Sequence, residues 1–338
     1  MLSFLTDLQP IPRVIVIALI AAAGGTGIYF LVITGAILDW PLPFYPWQIL
    51  TLVFWAISKS AIASGGRLDG GAIGAEVPSG NKDQSSSSES VHYFMPAGWA
   101  FAIWAPILLG ETALAIYQAL PTHGVAKAAE WLAALSPWLS AAFLLQALWC
   151  LSFRKWAKDA GLLWFPTLLL IGTALCLDRA HHVLRVAEAL GAVSLLQYFL
   201  VHLPVSLHFA WITCAVLVNL NKYIGGISRF SSTVKFGFSM ASIVVAVLLA
   251  VGITGKTGDP VYAAVVAWAL LAVAGKGGAE NMERPGVQDM VANEDASTDT
   301  PLMTSGGGVE SSKLKTENLV ARIGSGLCVV AAVLFFFF

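Results

Sequence analysis

Charge is scarce in this sequence. Asp, Glu, Lys and Arg make up 12% of its 338 residues, against roughly 25% in soluble domains. With 57% hydrophobic residues and a mean hydropathy of +0.75, water could not hold such a surface, and the apolar surplus is expected to face lipid. Basic residues form no stripe and the formal net charge is -1, which argues against a nucleic-acid partner, since phosphates need cations to neutralise them. Cysteine is also sparse. Cys150, Cys176, Cys214 and Cys328 fall in four different apolar runs, without CxxC or His-paired spacing, and read as small buried hydrophobes. A phosphate loop, GxSxG, HExxH and an acid pair at useful spacing are all absent, so hydrolase chemistry is unsupported.

Long apolar runs are what the chain does have. A spanning helix needs about 20 apolar residues. Nine runs bounded by charge, Gly or Pro approach that size, at roughly 14–38, 47–63, 97–120, 137–153, 161–177, 195–220, 236–254, 260–275 and 321–338. The expected fold is all-α, a polytopic transmembrane helical bundle of about eight to nine spans. The stretches 64–94, with Gly65-Gly66, Gly70-Gly71 and the run Ser85 to Ser88, and 276–318, with Gly306-Gly307-Gly308, hold too few apolar residues to fold alone and read as polar loops. Between Arg179 and Leu190, apolar Val183, Val186, Ala187 and Leu190 stand at helical spacing among charges, which predicts a segment lying along the interface.

Basic residues accumulate in cytoplasmic loops. With nine spans one side carries Arg13, Arg67, Lys82, Arg154, Lys155, Lys158, Lys222, Arg229 and Lys235, and the other Lys127, Arg179, Arg185 and Lys256. This asymmetry puts the N-terminus and both polar loops on the cytoplasmic or equivalent side. The opening run, about 25 residues after Arg13 with no obvious small-residue cleavage site before Asp39, is expected to be a retained helix rather than a removed targeting segment. The last run, which ends in Phe335 to Phe338 and is preceded by Lys313, Lys315 and Arg322, reads as one more span rather than an anchor signal.

The most distinctive string is Pro96-Ala97-Gly98-Trp99-Ala100-Phe101-Ala102-Ile103-Trp104-Ala105-Pro106, where the chain enters the third run. It resembles the Pro-x-Gly-Trp-x-Phe signature of the TspO/MBR family, the translocator or tryptophan-rich sensory proteins. Gln146-Ala147-Leu148-Trp149-Cys150-Leu151-Ser152-Phe153 is similar to that family's third-helix pattern, with Gln146 where the family usually has Asn. Pro204 followed by Trp211, Ala215 and Asn219 resembles its fifth helix. The spacings of four and eight put these last three near one face.

The resemblance covers residues 47–225 and implies a five-helix core there, preceded by an N-terminal hydrophobic helix in 1–46. After it come two additional spans in 226–275, the polar loop 276–318 and a C-terminal span in 319–338. The chain departs from the family pattern in these extra helices and in a Trp99-to-Trp104 spacing one residue short. The resemblance further implies a bundle pocket for a hydrophobic ligand, a tetrapyrrole such as porphyrin or haem, or a sterol-like molecule. By motif position that pocket or its lid is assigned to Trp99, Phe101, Trp104, Gln146, Trp149, Trp211 and Asn219. Flat ligands stack on aromatic rings while a buried amide orients them. The alternative is that these tryptophans are interfacial anchors and packing residues. The resemblance implies no cofactor requirement, and light-dependent porphyrin breakdown only as a secondary activity.

Glu111 stands in mid-helix after Gly110. Facing lipid it would cost about 2.5 kcal/mol or more, so it is expected to face the bundle, either as a proton or ligand contact or in a buried hydrogen bond to Gln118, His202 or His208. His202 and His208, six apart around Pro204, do not share a face closely enough for a common metal. Either one, or His181-His182, could ligate a haem; a satisfied or interfacial histidine is the other reading. Lys59 is expected to snorkel to the interface. Small pairs such as Ala141 and Ala142, or Gly237 and Ala241, would permit close helix contact within the chain or in a homodimer. Two further functions compete with ligand binding. One is a secondary transporter that couples a small solute to protons through Glu111 and the histidines. The other is a membrane scaffold whose polar loops recruit partners.

Overall fold

The computed structural model describes residues 46–64, 67–68, 93–120, 123–282 and 305–337. The first apolar run, most of the 64–94 stretch and residues 283–304 lie outside the described residues. Eight long helices follow in order: α1 (Pro46–Ala63), α2 (Trp104–Ala119), α3 (Ala129–Ser152), α4 (Trp164–Ala189), α5 (Leu203–Gly225), α6 (Ser232–Thr257), α7 (Pro260–Met282) and α8 (Ser305–Phe337). A 3-10 turn, Gly98–Ile103, leads into α2, and a π turn, Tyr198–His202, leads into α5. No named strand occurs among the described residues, whose one isolated bridge joins Arg67 to Arg154.

The chain forms two compact units, one of residues 1–87 and 102–219, the other of 88–101 and 220–338. In the first, α3 packs on α4 and α1, and α1 on α2. Its fully buried side chains include Ile107, Leu114, Leu132, Leu135, Phe143, Leu170, Leu177 and Ile212. Gly110 of α2 lies against the ring of Pro204 in α5, where a Cβ would come within 2.7 Å of Pro204 Cγ.

In the second unit α8 packs on α7 and α6, and the order of residue sizes is inverted relative to a soluble protein. On α8 the buried positions after Glu317 are small, Ala321, Ser325, Cys328 and Ala331, while Leu319, Ile323, Leu327, Val330 and Leu334 are exposed. On α6 the buried positions are Ser239, Ser242, Ile243, Ala246, Ala250 and Thr254, with Phe238, Val244, Leu248 and Val251 exposed. Small residues at helix contacts and large apolar ones outside are the pattern of helices solvated by lipid. Gly324 extends it, since a Cβ there would meet Val247 Cγ2 at 2.9 Å. α6 is bounded by a Ser231 cap that accepts from the Val234 N–H and by Gly258 in the left-handed conformation (φ 68°).

Gly98–Ala119, Ala129–Ser152, Leu195–Gly225, Ser232–Thr257 and Ser311–Phe336 are long and apolar enough to cross a membrane, and Pro260–Gly275 is apolar but shorter. Five such helices among the described residues are fewer than the eight to nine spans expected. α4 illustrates the difference. The sequence suggested a span to residue 177 and then an interfacial segment, yet one helix runs from Trp164 to Ala189. Its buried stripe, Leu170, Thr173, Leu177, Ala180, His181, Leu184 and Ala187, keeps helical spacing through the charged half and outweighs the polar residues on the other faces. α3 likewise starts at Ala129 and continues through Pro137. The ends of the 276–318 stretch are also helical, since α7 continues to Met282 and α8 begins at Ser305.

The rigid pyrrolidine beside Gly110 leaves no room to yield. Gly110→Ala should therefore destabilise the protein by about 1–3 kcal/mol. Gly237→Ala, where nothing lies within 4 Å of the new Cβ, should stabilise by about 0.5–1 kcal/mol. Unfolding titrations in mixed micelles measure both.

Candidate functional site

Burying a carboxylate in an apolar helix requires partners that replace water. Glu111 on α2 is 3% exposed and has two. Lys59 of α1 donates from Nζ to Oε2, and Nδ1 of His208 on α5 lies 2.6 Å from Oε1. At that distance from a carboxylate, Nδ1 carries the proton. Nε2 of His208 is buried without a hydrogen-bond partner among the described residues. The Trp104 ring stands edge-on to the imidazole with centroids 6.0 Å apart.

Three helices thus converge on one acid. Lys59, expected to snorkel to the interface, instead turns inward, its Nζ also 5.5 Å from the Phe143 ring centroid. Of the three partners considered for Glu111 from sequence, His208 is the one found on it. Gln118 bonds reciprocally with Gln48, donating to its backbone carbonyl at 3.0 Å and accepting from its amide on Gln118 O. His202 lies against Glu188, Nδ1 to Oε2 3.1 Å, with its ring 5.5 Å from that of His181.

A second group forms where α1, α3 and α5 meet. Trp149 donates from its indole N–H to Asn219 Oδ1 at 3.3 Å and stacks on Phe153 at 5.4 Å. The Arg67 guanidinium lies 5.2 Å from the Trp149 ring centroid and donates to Cys150 Sγ at 3.6 Å. One turn before Trp149, Gln146 accepts at Oε1 from Ser58 Oγ at 3.2 Å. Its Nε2 is buried without a hydrogen-bond partner among the described residues. Asn219 is itself held by donating from Nδ2 to Ala215 O at 3.1 Å.

Of the seven residues assigned to a pocket from sequence, Trp104, Gln146, Trp149, Trp211 and Asn219 are buried in the first unit. The structure brings Trp104 to Trp211, edge to face at 6.3 Å, and Trp149 to Asn219. Trp99 and Phe101 belong to the second unit. There Trp99 is 47% exposed and packs edge-on against Trp268 of α7 at 4.7 Å. The Trp268 N–H donates to Ala100 O at 3.0 Å. Sequence reasoning passed over Ser58, Arg67 and Trp268. The first two lie in or beside a Gly- and Ser-rich stretch where nothing marks a partner, and Trp268 stands alone in an apolar run.

These features define an all-α integral membrane protein with buried polar and aromatic groups inside its helices. A family model described as TSPO-like protein matches residues 72–292, more than half of the chain, and the chain belongs to that family. The match begins beyond α1 and ends beyond α7, whereas the motifs were read over 47–225. No curated protein and no solved structure matches the chain.

Glu111→Gln keeps the shape of the side chain but leaves the Lys59 ammonium without its counter-charge. It should lower stability by about 3 kcal/mol in an unfolding titration. Lys155→Gln, which breaks the exposed pair of Lys155 with Asp159, should leave the midpoint unchanged.

Proposed function

We propose that the protein binds a hydrophobic ligand, tetrapyrrole or sterol-like, within its helical bundle, for sensing, sequestration or transport. The observation that supports this most is Gln146. Its side chain is fully buried, and its Nε2 has no hydrogen-bond partner among the described residues. An unpaired buried donor costs about 1–3 kcal/mol, and folded proteins rarely keep one without a use for it. An acceptor on a ligand, such as a tetrapyrrole propionate or a carbonyl, would complete the amide. The buried rings of Trp104, Trp149 and Trp211 would supply flat apolar surface. The residues present therefore fit such a ligand, and membership of the TSPO-like family agrees with it. The N-terminus and polar loops would lie on the cytoplasmic side, as the distribution of basic residues suggests.

A second reading, proton-coupled transport of a small solute, draws on the Lys59, Glu111 and His208 cluster. Nε2 of His208 is buried without a hydrogen-bond partner among the described residues, and an imidazole nitrogen there would exchange protons inside the membrane. The two readings separate in one experiment on detergent-purified protein. Tryptophan fluorescence is titrated with protoporphyrin IX or haem in weakly buffered solution containing a pH indicator. Ligand binding alone predicts saturable quenching that is about tenfold weaker in Gln146→Leu and weakened in Trp149→Phe, with no proton exchange. A coupled transporter predicts ligand-dependent proton uptake or release that His208→Gln abolishes. Quenching no stronger than that of an unrelated membrane protein would contradict the ligand reading.

A further inference from the structure

The segment that carries the Trp-rich signature is anchored along its length within the second unit. Ala97 donates its N–H to Ala272 O on α7 at 2.9 Å, Ala100 O accepts from Trp268, and Tyr93 packs edge-on against Phe236 of α6 at 5.6 Å. At its start Phe94 is buried and adopts φ 53°, a left-handed conformation that a bulky side chain rarely takes unless its surroundings impose it. The Phe94 N–H donates to Oε1 of Glu317 at 2.5 Å. The same oxygen accepts from Ser239 Oγ. Glu317 is 3% exposed and sits on α8, which lies outside the matched residues 72–292. A buried carboxylate holding a strained backbone N–H is a costly arrangement to keep without a purpose.

We propose that Glu317 is a positioning residue for the signature segment: it holds Phe94 in its left-handed turn and so fixes where Trp99 stands against Trp268 of α7. The C-terminal helix is then a working part of the signature segment's setting, and the segment does not keep its place without it. Specificity comes from the acceptor oxygen, so the amide of Glu317→Gln should hold the segment while Glu317→Ala should release it.

The test uses the full chain with Gly98→Cys, a position with open space around a Cβ, in a Cys176→Ser background, since Cys150, Cys214 and Cys328 are buried. A nitroxide on residue 98 is read by electron paramagnetic resonance. The proposal expects an immobilised label in the parent and in Glu317→Gln. It expects a mobile label in Glu317→Ala. Ser325→Ala removes a bond from α8 to Ala267 O on α7 without touching the segment, and should leave the label immobile. A label unchanged in Glu317→Ala, or equally mobile in Ser325→Ala, overturns the anchoring.

Discussion

Three helices of the first unit are arranged around the need to neutralise one carboxylate. Glu111 stands in the middle of an apolar helix, and its charge is met from α1 by Lys59 and from α5 by His208. Each partner comes from a different part of the chain, so satisfying the acid also sets the rotation of three helices. Gly110 makes the arrangement possible, because the absence of a side chain there lets Pro204 approach and brings His208, one helical turn further on, up to the acid. The cluster trades transfer energy for geometry. A buried pair adds little net stability over an apolar replacement, yet breaking one partner is costly, and that asymmetry disfavours other rotations of the helices.

In the second unit the packing obeys lipid rather than water. The tight approach of α8 to its neighbours depends on alanine, glycine and serine, and its leucines and valines point outward. Lipid is as apolar as leucine, so no hydrophobic force drives such helices together. Close van der Waals contact and bonds such as Asn221 Nδ2 to Ser242 Oγ at 2.7 Å do so instead. The indole N–H of the buried Trp149 finds an acceptor in Asn219, and that of the partly exposed Trp268 finds a backbone carbonyl.

The fold class and the family were legible because they rest on local signals. Composition and run length identify membrane helices without any knowledge of packing, and the strings around Trp99, Trp149 and Trp211 identify the family by residue order. Span number was less legible. In α4 the charges of Asp178, Arg179 and Arg185 mask a buried stripe that a helical projection would have traced to Ala187. For the buried acid, the need for a partner was legible from its place in an apolar run, but the pairings were not. Lys59 and Glu111 are 52 positions apart, and nothing local tells a lysine near a helix end whether its ammonium turns to the interface or to an acid on the next helix. Glu317 was hidden for a related reason. It lies in a polar stretch whose composition suggests a loop, and its role depends on a backbone N–H more than two hundred residues earlier.

The pairing of Lys59 with Glu111 organises the first unit. A double-mutant cycle with Lys59→Met and Glu111→Gln, measured as unfolding free energies in mixed micelles, tests it most directly. Strong non-additivity is expected, with a coupling of about 2 kcal/mol or more. Losses that add to within about 0.5 kcal/mol would mean that the two residues act independently, and would contradict it.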